Sequence, residues 1–246
     1  MYMLKTKLKN YSPTIVTAGN LACGFGAIVL IMHKELSYAA WLVIAAMVFD
    51  GLDGQLARLL KSNVTWGGHF DSFADMITFG LAPAFLLGSI DAFNTHIAIW
   101  FVCFLFTLCA VIRLAKFEAD STSENVRSKY FTGLPSTLAG GTVASLILLD
   151  SYLKTKLGVQ TVATCLPSVT FILSLLMLSK VQYIKIVDVI KKKHGPAASF
   201  TIIGTFITLL VLFIMYPSIM LPLGFCVYVI IGNQGIFKKR FIQASG

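Results

Sequence analysis

The chain has 246 residues, of which 57% are hydrophobic and 13% charged, with a mean hydropathy of +0.80. That balance excludes an ordinary soluble globular domain and describes a polytopic membrane protein. The net charge of +9 does not signal nucleic acid, because the basic residues are spread over the loops between apolar runs, where they set topology and attract anionic lipid headgroups.

In chain order the apolar runs predict eight spans, at residues 13–32, 36–57, 72–90, 96–115, 136–153, 159–178, 197–215 and 218–236, most of them near the length that crosses hydrocarbon. The expected fold class is therefore all-α, a polytopic membrane bundle of about eight transmembrane helices. Residues 1–12 read as a cytoplasmic N-terminal segment, 13–190 as the core, and 191–246 as a C-terminal helical pair with a basic tail. No span has the n-region and cleavage site of a signal peptide, so the first helix is expected to remain in the mature chain.

Orientation follows from lysine and arginine. One side collects Lys5, Lys7 and Lys9, then Arg58 and Lys61, then Arg113, Lys116, Arg127 and Lys129, then Lys180, Lys185, Lys191, Lys192 and Lys193, and last Lys238, Lys239 and Arg240. Only Lys34, Lys154 and Lys156 fall on the other side. The positive-inside rule then puts both termini on the cytoplasmic face of the cell membrane. Cys23, Cys103, Cys109, Cys165 and Cys226 lie in or beside apolar runs without a C-x-x-C pair, and read as small hydrophobes.

Between the second and third spans, residues 50–75 read DGLDGQLARLLKSNVTWGGHFDSFAD, with the spacing D-x-x-D-G-x-x-A-R-x8-G-x3-D-x3-D. Asp50 and Asp53 are three apart and Asp71 and Asp75 four apart, so on continuous helices each pair projects from one face. Two such pairs facing each other crowd four negative charges together, and they repel unless a cation neutralises them. All-oxygen ligation suits magnesium or manganese and disfavours zinc. Carboxylates at the edge of a bilayer are costly and mark function by default; hydrogen-bonded or snorkelling aspartates are the plainer alternative, and it leaves the eight-position register unexplained.

Neighbouring residues suit a phosphate. Gly54 lets a ligand approach the helix backbone, Ala57 one turn on leaves similar room, and Arg58 offers a planar cationic fork. Ser62, Asn63 and Gly67 are turn residues, so the unit reads as helix, short loop, helix. Of the scattered His33, His69, His96 and His194, only His69 lies inside the motif.

The pattern is similar to the signature of the CDP-alcohol phosphatidyltransferase family, with all eight positions matched at Asp50, Asp53, Gly54, Ala57, Arg58, Gly67, Asp71 and Asp75. Within it the chain most resembles the membrane-embedded phosphatidylserine synthases. TAGNLACGFGA (17–27) is similar to the family's first membrane helix. FDSFADMITFGLAPA (70–84), RLAKFE (113–118), FTGLPS (131–136) and SKVQYIK (179–185) resemble segments of the serine branch. The resemblance covers residues 12–190 and weakens beyond.

The resemblance implies a metal-dependent transfer of the phosphatidyl group from CDP-diacylglycerol to the hydroxyl of L-serine, giving phosphatidylserine and CMP. It implies Mg2+ or Mn2+ on Asp50, Asp53, Asp71 and Asp75, with Asp75 also the general base. It places Gly54, Ala57, Arg58 and Asn20 on the nucleotide and pyrophosphate, Arg113 and Lys116 on the acceptor carboxylate, and the whole in a homodimer among membrane lipids.

Alternatives stay open at this stage. Asn20 in a membrane helix is equally satisfied by an interhelical hydrogen bond, Gly19, Gly24 and Gly26 suit close helix packing, and Arg113 and Lys116 suit snorkelling. A different acceptor, glycerol 3-phosphate or inositol phosphate, would need a denser cationic pocket. A cation transporter would use the aspartates but leave Gly54, Ala57 and Arg58 without a role.

Overall fold

A computed structural model describes residues 2–60, 66–91, 93, 96–122, 130–158, 161–179, 182–184 and 216–229. The fold is helical, with α1 (Tyr2–Met32), α2 (Leu36–Leu60), α3 (Gly67–Asp75), a π-helical turn (Met76–Leu81), α4 (Ala82–Gly88), α5 (Ile97–Thr122), α6 (Ser136–Leu157) and α7 (Thr161–Leu178). A shorter helix, α8 (Pro217–Val229), follows. One small antiparallel ladder pairs β1 (Tyr130–Thr132) with β2 (Gln182–Ile184), Phe131 opposite Tyr183.

Five helical stretches of the described residues are long and apolar enough to cross a bilayer, at Pro13–Met32, Leu36–Leu56, Gly67–Gly88 (α3, the π turn and α4 together), Ile97–Ala119 and Ser136–Leu157. The eight spans expected from sequence are thus reduced among the described residues to five of full length. The apolar helices Val162–Leu178 and Pro217–Val229 are shorter, and the expected span 197–215 lies outside the described residues. Helix α1 starts well before its apolar run, because Lys5, Lys7 and Lys9 are themselves good helix formers and carry the helix out of the membrane.

The ends of the bundle differ in charge. Lys34 Nζ lies 2.9 Å from Asp91 Oδ1 and donates to the Ser89 carbonyl at 3.3 Å, tying the α1–α2 turn to the segment after α4. The Lys34 ammonium and, less, the Lys154 charge hold the Asp91 carboxyl below its ordinary range. Lys34 and Lys154 therefore share one end of the bundle. Asp50 and Asp53 lie about 20–25 Å further along α2 at 1.5 Å per residue, near the opposite end.

Packing around α3 and α4 positions the site. Pro83 in the third span has no N–H and its ring opposes the carbonyl of Phe79, so the helix widens to a π turn in which Ala82 N–H bonds to Ile77 O. A backbone acceptor in this turn is met from a neighbour: Thr107 Oγ1 donates to Gly80 O at 3.2 Å. Small residues let the neighbours close in. A Cβ on Gly140 of α6 would sit 2.8 Å from Phe79 O, and one on Gly24 of α1 would sit 2.9 Å from Thr78 Cα. Phe79, Phe106, Leu86, Leu87 and Leu134 fill the fully buried core around this turn.

Candidate active site

Three carboxylates meet where α2 faces α3. Asp50, Asp53 and Asp71 each bring one oxygen to within 4.8 Å of the others. Oxygens on opposite sides of one hard cation are about 4.2–5 Å apart, so the group has the span of a single ligand shell. Asp71 Oδ1 is buried with no hydrogen-bond partner, a cost that a bound cation would remove. The other two are held by hydroxyls. Thr17 Oγ1 of α1 donates to Asp53 Oδ2 at 3.0 Å, and Thr137 Oγ1 of α6 donates to Asp50 Oδ2 at 3.3 Å. The donor set is all oxygen, as magnesium or manganese requires.

Asp75 stands apart from that group of three and has a different partner. It is buried one turn beyond Asp71, and its Oδ1 accepts from Asn20 Nδ2 at 2.9 Å. Asn20 is fully buried; Thr78 Oγ1 donates to its backbone carbonyl at 3.3 Å, and its own Oδ1 has no partner. The interhelical bond expected as one alternative for Asn20 is present through its Nδ2, while its Oδ1 carries no bond among the described residues.

Arg113, near the motif end of α5, donates through Nη1 to Ser136 Oγ at 2.8 Å and lies over the Phe117 ring at 5.9 Å, while its Nε is buried without a partner. Asp50 and Asp75 are within its electrostatic reach, with no direct ion pair among the described residues. Lys116, three residues on, is exposed. His69 Nδ1 pairs with Glu118 Oε1, linking the start of α3 to the end of α5. Asn20 Oδ1, Asp71 Oδ1 and Arg113 Nε are the unpartnered buried side-chain atoms of the described residues, and each belongs to this constellation. They are one acceptor, one anion and one cationic donor.

Among the described residues nothing lies within 4 Å of where a Cβ on Gly54 would stand, so no described neighbour requires a glycine there. Ala57 and Arg58 lie on α2, and their side chains fall outside the described residues. Thr17, Thr137, Ser136 and Thr78 were not singled out by sequence reasoning as site residues. The available signal was weak: Thr17 lies three before Asn20 on one helix face, and Thr137 and Ser136 open a helix directly after a proline.

The family model for CDP-alcohol phosphatidyltransferases matches residues 10–170. The chain is 33% identical over 175 residues to a CDP-diacylglycerol–serine O-phosphatidyltransferase of Bacillus subtilis (strain 168), covering 71% of this chain and 90% of the relative. It is 34% identical over 139 residues to the enzyme of that name from Helicobacter pylori (strain ATCC 700392 / 26695), covering 56% of this chain and 58% of the relative. It is also similar to an archaetidylserine synthase of Methanothermobacter thermautotrophicus, 31% over 173 residues, covering 70% of this chain and 68% of the relative.

Proposed function

The chain belongs to the CDP-alcohol phosphatidyltransferase family, and from that premise we propose that it transfers the phosphatidyl group of CDP-diacylglycerol to L-serine, forming phosphatidylserine and CMP. The observation that carries this reading is the set of three unpartnered buried atoms around the aspartates, which complements the charges of the two substrates. The names of the relatives differ in the lipid and agree on serine.

Asp50, Asp53 and Asp71 would hold the cation, with Thr17 and Thr137 fixing two of them by donated hydrogen bonds. When bound, a divalent cation supplies positive charge against the pyrophosphate and the departing CMP. Gly54 leaves the α2 backbone open for the donor lipid, and Arg58 on the same helix would add a charge to its phosphates. The Arg113 guanidinium takes the serine carboxylate, its Nη1 already oriented by Ser136. Asp75, held by Asn20, accepts the serine hydroxyl proton as the serine oxygen bonds to the lipid-side phosphorus and the bond from that phosphorus to the CMP oxygen breaks.

In the cell membrane the lysine asymmetry turns the aspartate end of the bundle to the cytoplasm, where a nucleotide-activated lipid and a free amino acid are found. Lys116, exposed beside Arg113, would meet the acceptor from the solvent side. A single buried guanidinium suits a zwitterion better than the phosphate dianion of glycerol 3-phosphate or inositol phosphate. A homodimer among membrane lipids is part of the proposal. The test is to supply the purified protein with CDP-diacylglycerol and isotopically labelled serine: label in a lipid of phosphatidylserine mass is expected, and its absence with another acceptor consumed would refute the reading.

A further inference from the structure

Helix α8 lies beyond the matched residues 10–170 and beyond the sequence-defined core, yet three positions along it fix how it crosses the molecule. At its start, Ser218 lines a cavity of about 200 Å³ with Leu148, Ser151 and Thr155 from the C-terminal half of α6. Midway, the Phe225 ring is seated on Gly141 of α6, where an added Cβ would lie 3.0 Å from its Cζ. At its end, Tyr228 packs half-buried against the core within electrostatic reach of Arg113, which is itself bonded to Ser136 at the first turn of α6.

These anchors run in opposite chain directions, so α8 is antiparallel to α6 and descends from the Lys154 end of the bundle to the acceptor end of the site. The sequence supports that face, since Leu221, Phe225 and Tyr228 recur at i, i+4 and i+7, a single helical stripe. Val227, off the stripe, is exposed. A phenol is suited to the place: its oxygen accepts from a guanidinium while its ring covers apolar surface and keeps water from the charge.

We propose that Tyr228 is a positioning residue of the acceptor site, its phenol oxygen orienting the Arg113 guanidinium toward the carboxylate of the incoming amino acid. This rests on the acceptor reading above and extends it to a helix outside the family-matched segment. Tyr228→Phe keeps the ring and its packing and removes only the hydroxyl.

The experiment measures CMP release at varied serine and varied CDP-diacylglycerol for wild type, Tyr228→Phe, Arg113→Ala, the double variant, and Val227→Ala as a control on the same helix. Tyr228→Phe is expected to raise the serine KM about tenfold, the size of a lost hydrogen bond to a charged group, with the CDP-diacylglycerol KM and the thermal unfolding midpoint unchanged. In the Arg113→Ala background the same change should add nothing, because Tyr228 acts through Arg113. An unchanged serine KM in Tyr228→Phe, or an equal further rise in the double variant, would overturn the proposal. If wild type releases CMP with another acceptor and not with serine, the functional reading fails separately, and the same comparison made with that acceptor decides Tyr228.

Discussion

Asn20 Nδ2 donates to Asp75 Oδ1 at 2.9 Å across 55 residues of chain, joining α1 to the helix that carries the last aspartate of the motif. The bond fixes which carboxylate oxygen faces α1, and in the proposed mechanism the other receives the proton of the acceptor hydroxyl. Removing the amide by Asn20→Ala should cost about 1.5–3 kcal/mol in the chemical step, a fall in kcat of about tenfold or more, with CDP-diacylglycerol binding little changed. Steady-state kinetics decide it: a loss confined to donor binding would return Asn20 to the pyrophosphate.

Asp75 lies outside the group of three carboxylates, so its loss should separate chemistry from binding. Asp75→Asn is expected to keep metal-dependent CDP-diacylglycerol binding and to slow turnover about 100-fold or more. Collapse of donor binding, measured on vesicles carrying the lipid, would make Asp75 chiefly a metal ligand.

Gly54 has no neighbour among the described residues that its missing side chain accommodates. Gly54→Ala should therefore leave the fold intact, or stabilise α2 by about 0.5–1 kcal/mol through backbone entropy. Donor-lipid KM should nevertheless rise by the equivalent of about 1–3 kcal/mol, as an atom is forced into a ligand contact. Unchanged donor KM would show that the lipid does not approach α2 there.

Gly24 behaves in the opposite way, because its missing Cβ would press on the backbone at Thr78. Gly24→Ala should destabilise the protein by about 1–3 kcal/mol and loosen α1 from the π turn. Thermal unfolding in detergent checks this, and a midpoint equal to wild type would contradict the close contact.

The aspartate site was legible because its chemistry is local. Asp50 with Asp53, and Asp71 with Asp75, face together by helical period alone, and apolar flanks mark the charges as purposeful. The hydroxyls that orient them were not legible. A threonine or serine in a membrane helix commonly bonds its own preceding turn, as Thr142 does to Leu138 O and Thr170 to Leu166 O; Thr17 itself also lies 3.1 Å from Pro13 O, and nothing in sequence shows that it and Thr137 reach an aspartate as well. The π turn before Pro83 was not read from the sequence; a proline in a helix can kink or widen it, and here Gly140 and Thr107 approach closely around the widened turn. Among the described residues five helices reach full spanning length, α7 and α8 are shorter there, and the expected span 197–215 lies outside them. Placement of α8 across α6 is a long-range fact that no local pattern carries.

In the proposed reaction aspartate-held metal and serine together drive release of CMP. Purified protein in vesicles containing CDP-diacylglycerol is mixed with serine, and CMP is followed as magnesium or manganese is added and then chelated, for wild type and Asp71→Asn. CMP release is expected to require both serine and the divalent ion, to stop in chelator, to return when metal is restored, and to be abolished in Asp71→Asn. Full serine-dependent release in chelator, or wild-type turnover by Asp71→Asn, would contradict it.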